Sequence, residues 1–151
     1  MDVNYKKILL GMLGEKIIAK HLRDIGCVVD ESLDVFDSTK DMVVDGMCVE
    51  VKTNAPLFYY DSFSIPQNQY NKIINSHRVY WLSVPLQTKE DQFSGCIFEM
   101  DPNIAKVHQI KFGDGRSVIG VKRQQEGMKI IYKITDIKLL NHLRELSSSY
   151  I

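Results

Sequence analysis

The chain has 151 residues, 19 Lys and Arg balanced by 19 Asp and Glu, and an apolar fraction of 44%. Such a length suits one domain, residues 1–151, around one core, and the composition excludes a disordered chain or a strongly basic nucleic-acid coat protein. No apolar run approaches the roughly 20 residues of a membrane helix. The apolar block at 8–10 is too short for a secretory signal, and Cys27, Cys48 and Cys96 form no CxxC, so a reduced, cytosolic setting without structural zinc is expected.

In chain order, residues 4–24 read as a helix stopped by Gly26. Strand-like runs follow at 27–29, 41–44 and 47–53, the last two joined by Asp45-Gly46, a strong two-residue hairpin turn. Residues 54–66 read as a loop, and Pro66 opens a helix to residue 75. Further strands are expected at 78–84, 96–100, 105–112, 117–121 and 128–134, with a closing helix at 137–146. This order predicts an α/β domain with a mixed β-sheet flanked by helices and a β-rich extension over 95–151. Charge is unevenly spread: residues 1–101 hold 10 basic against 15 acidic side chains, and residues 102–144 hold 9 against 3. An acidic metal site beside a basic phosphate-binding surface gives this pattern, and so does unsorted surface charge.

The hairpin carries the strongest chemical signal. With Asp45-Gly46 as its turn, Val44 faces Met47, Val43 faces Cys48, Met42 faces Val49 and Asp41 faces Glu50. Opposed residues share a face and successive residues alternate. Met42, Val44, Met47, Val49 and Val51 therefore form an apolar face, and Asp41, Glu50 and Lys52 lie on the other. Opposed carboxylates repel unless a cation sits between them. Magnesium needs few protein oxygens and keeps much of its water, so two carboxylates suit it. An exposed hairpin face with ordinary charges is the other reading. On the first helix, Ile8, Met12, Glu15, Ala19 and Leu22 recur on one stripe expected to pack inward. Glu15 interrupts it, as a third acidic group near a metal site or through a helix rotated toward solvent.

The ordered set Gly14-Glu15, the helix ending at Gly26, Lys40-Asp41-Met42-Val43-Val44-Asp45-Gly46 and Val49-Glu50-Val51-Lys52-Thr53 resembles the PD-(D/E)xK nuclease superfamily. This is the restriction-endonuclease-like fold. It is similar to the small members, Holliday junction resolvase-type and phage nucleases. The resemblance covers residues 11–84, and Lys40 stands where the superfamily name has proline. It implies a metal-dependent endodeoxyribonuclease hydrolysing DNA phosphodiester bonds, branched DNA included. Asp41, Glu50 and the Val51 backbone carbonyl would bind Mg²⁺, with Mn²⁺ as a substitute. Glu15 would hold a metal-bound water or a second ion, and Lys52 would position or help deprotonate the attacking water and stabilise charge on phosphate. The family's glutamine or tyrosine has three competing counterparts, Gln67, Gln69 and Tyr70. The resemblance also implies a homodimer in the cytoplasm of a bacterium, archaeon or phage-infected cell, with DNA as partner and no organic cofactor. The alternative is a DNA-binding or assembly protein on the same fold that has lost catalysis.

Other residues are candidates for substrate contact. Phe58, Tyr59 and Tyr60 follow Lys52 and would stack on exposed bases or cover a sheet edge. Lys72, His77 and Arg78 flank the second helix and would meet phosphates or water. Lys122, Arg123 and the other basic residues of the tail form the best candidate for a DNA-facing strip. The four histidines lack metal-ligand spacing and read as structural or surface residues.

Overall fold

The computed structural model describes residues 3–31, 42–57, 60–86 and 91–147. Helix α1 spans Val3–Asp24, and its end is closed by Gly26 at φ 99°. Strands β1 (Val29–Glu31), β2 (Met42–Val44) and β3 (Met47–Asn54) form an antiparallel ribbon. Asp45 and Gly46 both have positive φ, 50° and 80°, which suits a type I′ turn and the twist of its strands. The register is as the sequence predicts: Val44 opposite Met47, Val43 opposite Cys48, Met42 opposite Val49.

The stretch expected to be a loop contains a strand, β4 (Ser62–Ile65). Only four residues long and closed by Pro66, it carries too little alternation to stand out from a loop. After Pro66 comes a 3₁₀ turn at Gln67–Gln69 and a short helix α2 (Tyr70–Ile74). Strands β5 (Arg78–Ser83), β6 (Cys96–Met100), β7 (Val107–Lys111), β8 (Ser117–Lys122) and β9 (Met128–Lys133) lead to helix α3 (Ile137–Ser147). The strands form two sheets. Six follow the order β1-β2-β3-β5-β6-β9, with β3 and β5 parallel and the other pairs antiparallel; three follow the order β4-β8-β7. The architecture is thus mixed α/β, a multi-stranded sheet flanked by helices, with a small second sheet in place of a single sheet.

The two faces of the large sheet carry two apolar clusters. On one face, Val49 of β3, Tyr80 and Leu82 of β5 and Ile97 of β6 meet Leu10, Ile18 and Leu22 of α1 and Leu143 and Leu146 of α3. On the other, Val79 and Trp81 of β5 and Phe98 of β6 meet Phe63 and Ile65 of β4 and Val121 of β8. Phe63 stacks on Trp81 at 4.6 Å between ring centres. Each fully buried side chain of this kind contributes about 1.5–3 kcal/mol, so both faces are firmly committed.

Helix α1 is turned relative to the expected stripe. Ala19 and Leu22 are buried, but Ile8 and Met12 are 59% and 49% exposed, and Leu10, Gly14 and Ile18 take the inward positions. Gly14 explains the choice: a Cβ there would run into the Thr53 side chain, so α1 approaches β3 where no side chain intervenes.

Candidate functional site

Alternation along β3 sends Val49, Val51 and Thr53 toward α1 and sends Glu50, Lys52 and Asn54 to the opposite face. The parallel register confirms the sorting, since Glu50 pairs with Val79 and Lys52 with Trp81, both of which belong to the second cluster. Glu50 is therefore carried inside, only 2% exposed. A buried carboxylate costs several kcal/mol unless charge and hydrogen bonds compensate it. Here the Lys52 ammonium lies 3.5 Å from its Oε1 and the Lys72 ammonium 3.8 Å from the same atom.

Lys52 is in turn fixed by Gln69, whose side-chain carbonyl accepts a hydrogen bond from the Lys52 Nζ. Gln69 closes the 3₁₀ turn and Lys72 follows three residues later on α2, a spacing that puts both on one side of the helical segment. Of Gln67, Gln69 and Tyr70, Gln69 is joined to Lys52, while Gln67 is exposed on the same turn. Asn54 ties the two sheets together behind the site: its Nδ2 donates to the Ser64 carbonyl at 3.0 Å and its Oδ1 accepts from the Trp81 indole. Lys72, expected from the sequence to meet phosphates or water, stands beside Glu50. Asn54 belongs to the same alternation as Glu50 and Lys52, but nothing in the sequence marks it as a bridge.

Asp41, Phe58 and Tyr59 lie outside the described residues. Tyr60 is about half exposed. Glu15 is half-buried on α1, the helix that covers the opposite face of the sheet, one residue beyond the Gly14 contact with Thr53. Val51 directs its side chain into the α1 cluster, and its strand pairs with β5. Among the described residues, no three His, Cys, Asp or Glu side chains gather as a metal-ligand group.

The basic residues divide sharply. Arg78 pairs with Asp101 at 3.6 Å and Glu99 at 4.0 Å, and donates to the His77 carbonyl. Lys122 is exposed, but Arg123 beside it is buried. The Arg123 guanidinium meets Asp91 at 2.7 Å and Asp61 at 2.6 Å, reaches the Ser83 hydroxyl, and stands 4.9 Å from the Phe93 ring centre. It is a core ion-pair centre, so the expected solvent-facing strip loses Arg123. The cause is alternation at the end of β8, which turns Val121 and Arg123 inward and Lys122 out.

Scans of this chain against protein-family models, curated proteins and solved structures found no match. No helix among the described residues is long and apolar enough to cross a membrane.

Proposed function

We propose that this protein is a metal-dependent endodeoxyribonuclease of restriction-endonuclease-like fold, with Glu50 and Lys52 at its catalytic centre. One observation carries the reading: a carboxylate and an ammonium two residues apart on one strand, turned to the same face, the first buried and the second clamped by Gln69. Mg²⁺ would be held by Glu50 together with Asp41 and the Val51 carbonyl, and Mn²⁺ would substitute. Among the described residues Glu50 is the carboxylate that fits this role, and an ion that keeps most of its water needs few such donors. When bound, the cation supplies an acidified water and neutralises charge on the phosphoryl group.

The residues of the chain supply the rest. Lys52 donates its ammonium hydrogens to a phosphate oxygen as negative charge grows there in the transition state. Gln69 is a positioning residue: it holds Lys52 on a fixed line, so little reorganisation accompanies the reaction. Lys72 adds a second cation that screens Glu50 and draws the substrate backbone toward the site. Glu15 enters as an acidic group on α1 that orders water at the margin. DNA is the substrate, and a homodimer would place two such sites for paired cuts.

A second reading is favoured by one observation. Two ammonium groups within 4 Å already balance the charge of Glu50, as they would in a DNA-binding protein that has lost catalysis. Cleavage of plasmid, single-stranded and branched DNA with and without Mg²⁺ separates the two. Glu50→Gln and Lys52→Met are expected to abolish Mg²⁺-dependent cutting, and circular dichroism is expected to show an intact fold. Wild-type protein that binds DNA but does not cut it with Mg²⁺ or Mn²⁺ supports the second reading; folded variants that cut as the wild type does remove these residues from the mechanism.

A further inference from the structure

A cleft of about 470 Å³ opens between the end of α1, strand β9 and the start of α3. It lies at the edge of the large sheet, where β9 is the last strand, and on the face that α1 and α3 cover. Glu50 and Lys52 turn to the other face, so the site above does not use it. Its volume falls within the roughly 300–1,000 Å³ of small-molecule sites. Ile17 of α1 and Leu139 of α3 form apolar walls, and Tyr132 of β9 and His21 of α1 line it between them.

Two features set this cleft apart from an ordinary crevice. The first is a β-bulge. Ile130 stands opposite Phe98 and Tyr132 opposite Ile97, so Ile131 is an extra residue on β9. Phe98 belongs to the cluster under the small sheet and Ile97 to the cluster under α1. The bulge therefore turns Ile131 and Tyr132, neighbours in sequence, to the same face. Strict alternation would have carried Tyr132 away from α1. Instead its ring lies on the His21 ring, with 4.4 Å between centres and 20° between planes, and remains 42% exposed. The second feature is the His21 Nε2, which is buried and has no hydrogen-bond partner. A buried polar atom left unpaired is costly, and in a native fold it marks a place for a ligand or an ordered water.

The lining selects the ligand. Its apolar walls and the Tyr132 ring suit a flat aromatic body. A hydroxyl both donates and accepts, so it pairs with Nε2 in either imidazole tautomer. At the rim, Lys20 is engaged by Asp24 at 2.7 Å, and the Asp136 Oδ1 accepts the N–H groups of Lys138 and Leu139 at the start of α3. Two carboxylates to one ammonium favour a cationic substituent over an anionic one. We infer that the cleft binds a small phenol that carries a protonated amine: the hydroxyl meets the His21 Nε2, the ring lies against Tyr132, and the amine faces the acidic rim. The inference stands apart from the nuclease reading.

The test is isothermal titration calorimetry of the full chain with tyramine. Two comparison ligands are phenethylamine, which lacks the hydroxyl, and para-hydroxyphenylacetate, which reverses the charge. Tyramine is expected to bind saturably, and each comparison ligand roughly tenfold more weakly, the weight of one hydrogen bond or charge contact. His21→Phe keeps an aromatic ring beneath Tyr132 and removes Nε2, so it is expected to bind tyramine and phenethylamine alike. Leu139→Trp fills the cleft and is expected to abolish binding. Circular dichroism checks that both variants fold; where one does not, the other variant and the ligand series decide. No saturable binding of tyramine up to about 10 mM, equal affinity for the three molecules, a preserved preference for the hydroxyl in folded His21→Phe, or undiminished binding in folded Leu139→Trp would each overturn the inference.

Discussion

Replacing Arg123 by methionine distinguishes a core residue from a DNA contact more sharply than any other change in the basic tail. In the structure Arg123 and Asp91 have side chains only 3% exposed each, 2.7 Å apart, and Asp61 adds a second carboxylate at 2.6 Å. Arg123→Met keeps much of the apolar stem between Phe63 and Phe93 but strands the Asp91 carboxylate out of reach of water. Breaking a buried pair from one side costs about 3–5 kcal/mol, because the partner charge remains. That is a large share of the roughly 5–15 kcal/mol that stabilises a domain. At roughly 2–4 °C per kcal/mol for a chain of this size, Tm is expected to fall by about 6–20 °C. Urea unfolding at pH 7 measures the loss directly. The double variant Arg123→Met/Asp91→Leu removes both buried charges and is expected to recover much of it, which a double-mutant cycle quantifies. A loss below about 1 kcal/mol for Arg123→Met, or a drop in DNA affinity at unchanged stability, would refute this assignment.

Two further outcomes follow from local geometry. Gly14→Ala is expected to destabilise by about 1–3 kcal/mol in urea, because the new methyl collides with Thr53. Gly11→Ala on the same helix meets open space, so it is expected to stabilise by about 0.5–1 kcal/mol; changes of the same sign would show that α1 does not lie on β3 as described. Burial, then the neighbouring Glu99 that accepts its hydrogen bond, pushes the Tyr80 phenol well above its ordinary value of 10.0. The folded state therefore keeps this proton while the unfolded chain releases it. Tyr80 contributes stability that is fully present below pH about 10 and declines as pH rises beyond it. Unfolding free energy measured from pH 8 to 11 is expected to fall less steeply in Tyr80→Phe than in the wild type, and parallel curves would contradict this.

Much of the ribbon was legible because one physical rule covers it. A turn that requires positive φ at two residues admits few sequences, and Asp45-Gly46 is one of them, so register and face followed from counting. The site was legible to the same depth: Glu50 and Lys52 share a face because they differ by two. What the sequence leaves unstated is which body covers which face. A stripe of Ile8, Met12, Glu15, Ala19 and Leu22 has helical period, yet Leu10, Gly14, Ile18 and Leu22 have it equally. The contest is decided by a contact with Thr53 thirty-nine positions away, where only glycine fits. β4 stayed hidden because its four residues gain their burial from Trp81 and Val121, not from a pattern of their own. Arg123 looked like surface charge because arginine is rarely core, and its carboxylate partners, Asp61 and Asp91, sit 62 and 32 residues away in sequence.

The division of the sheet into two covered faces also shapes the chemistry available to it. The α1 face is filled by mostly aliphatic side chains together with Tyr80. The β4–β8–β7 face brings a second sheet, the 3₁₀ turn and α2 against the same strand, and with them Gln69, Lys72 and the Asn54 bridge. Burial of the Glu50 carboxylate on this second face is compensated by the Lys52 and Lys72 ammonium groups.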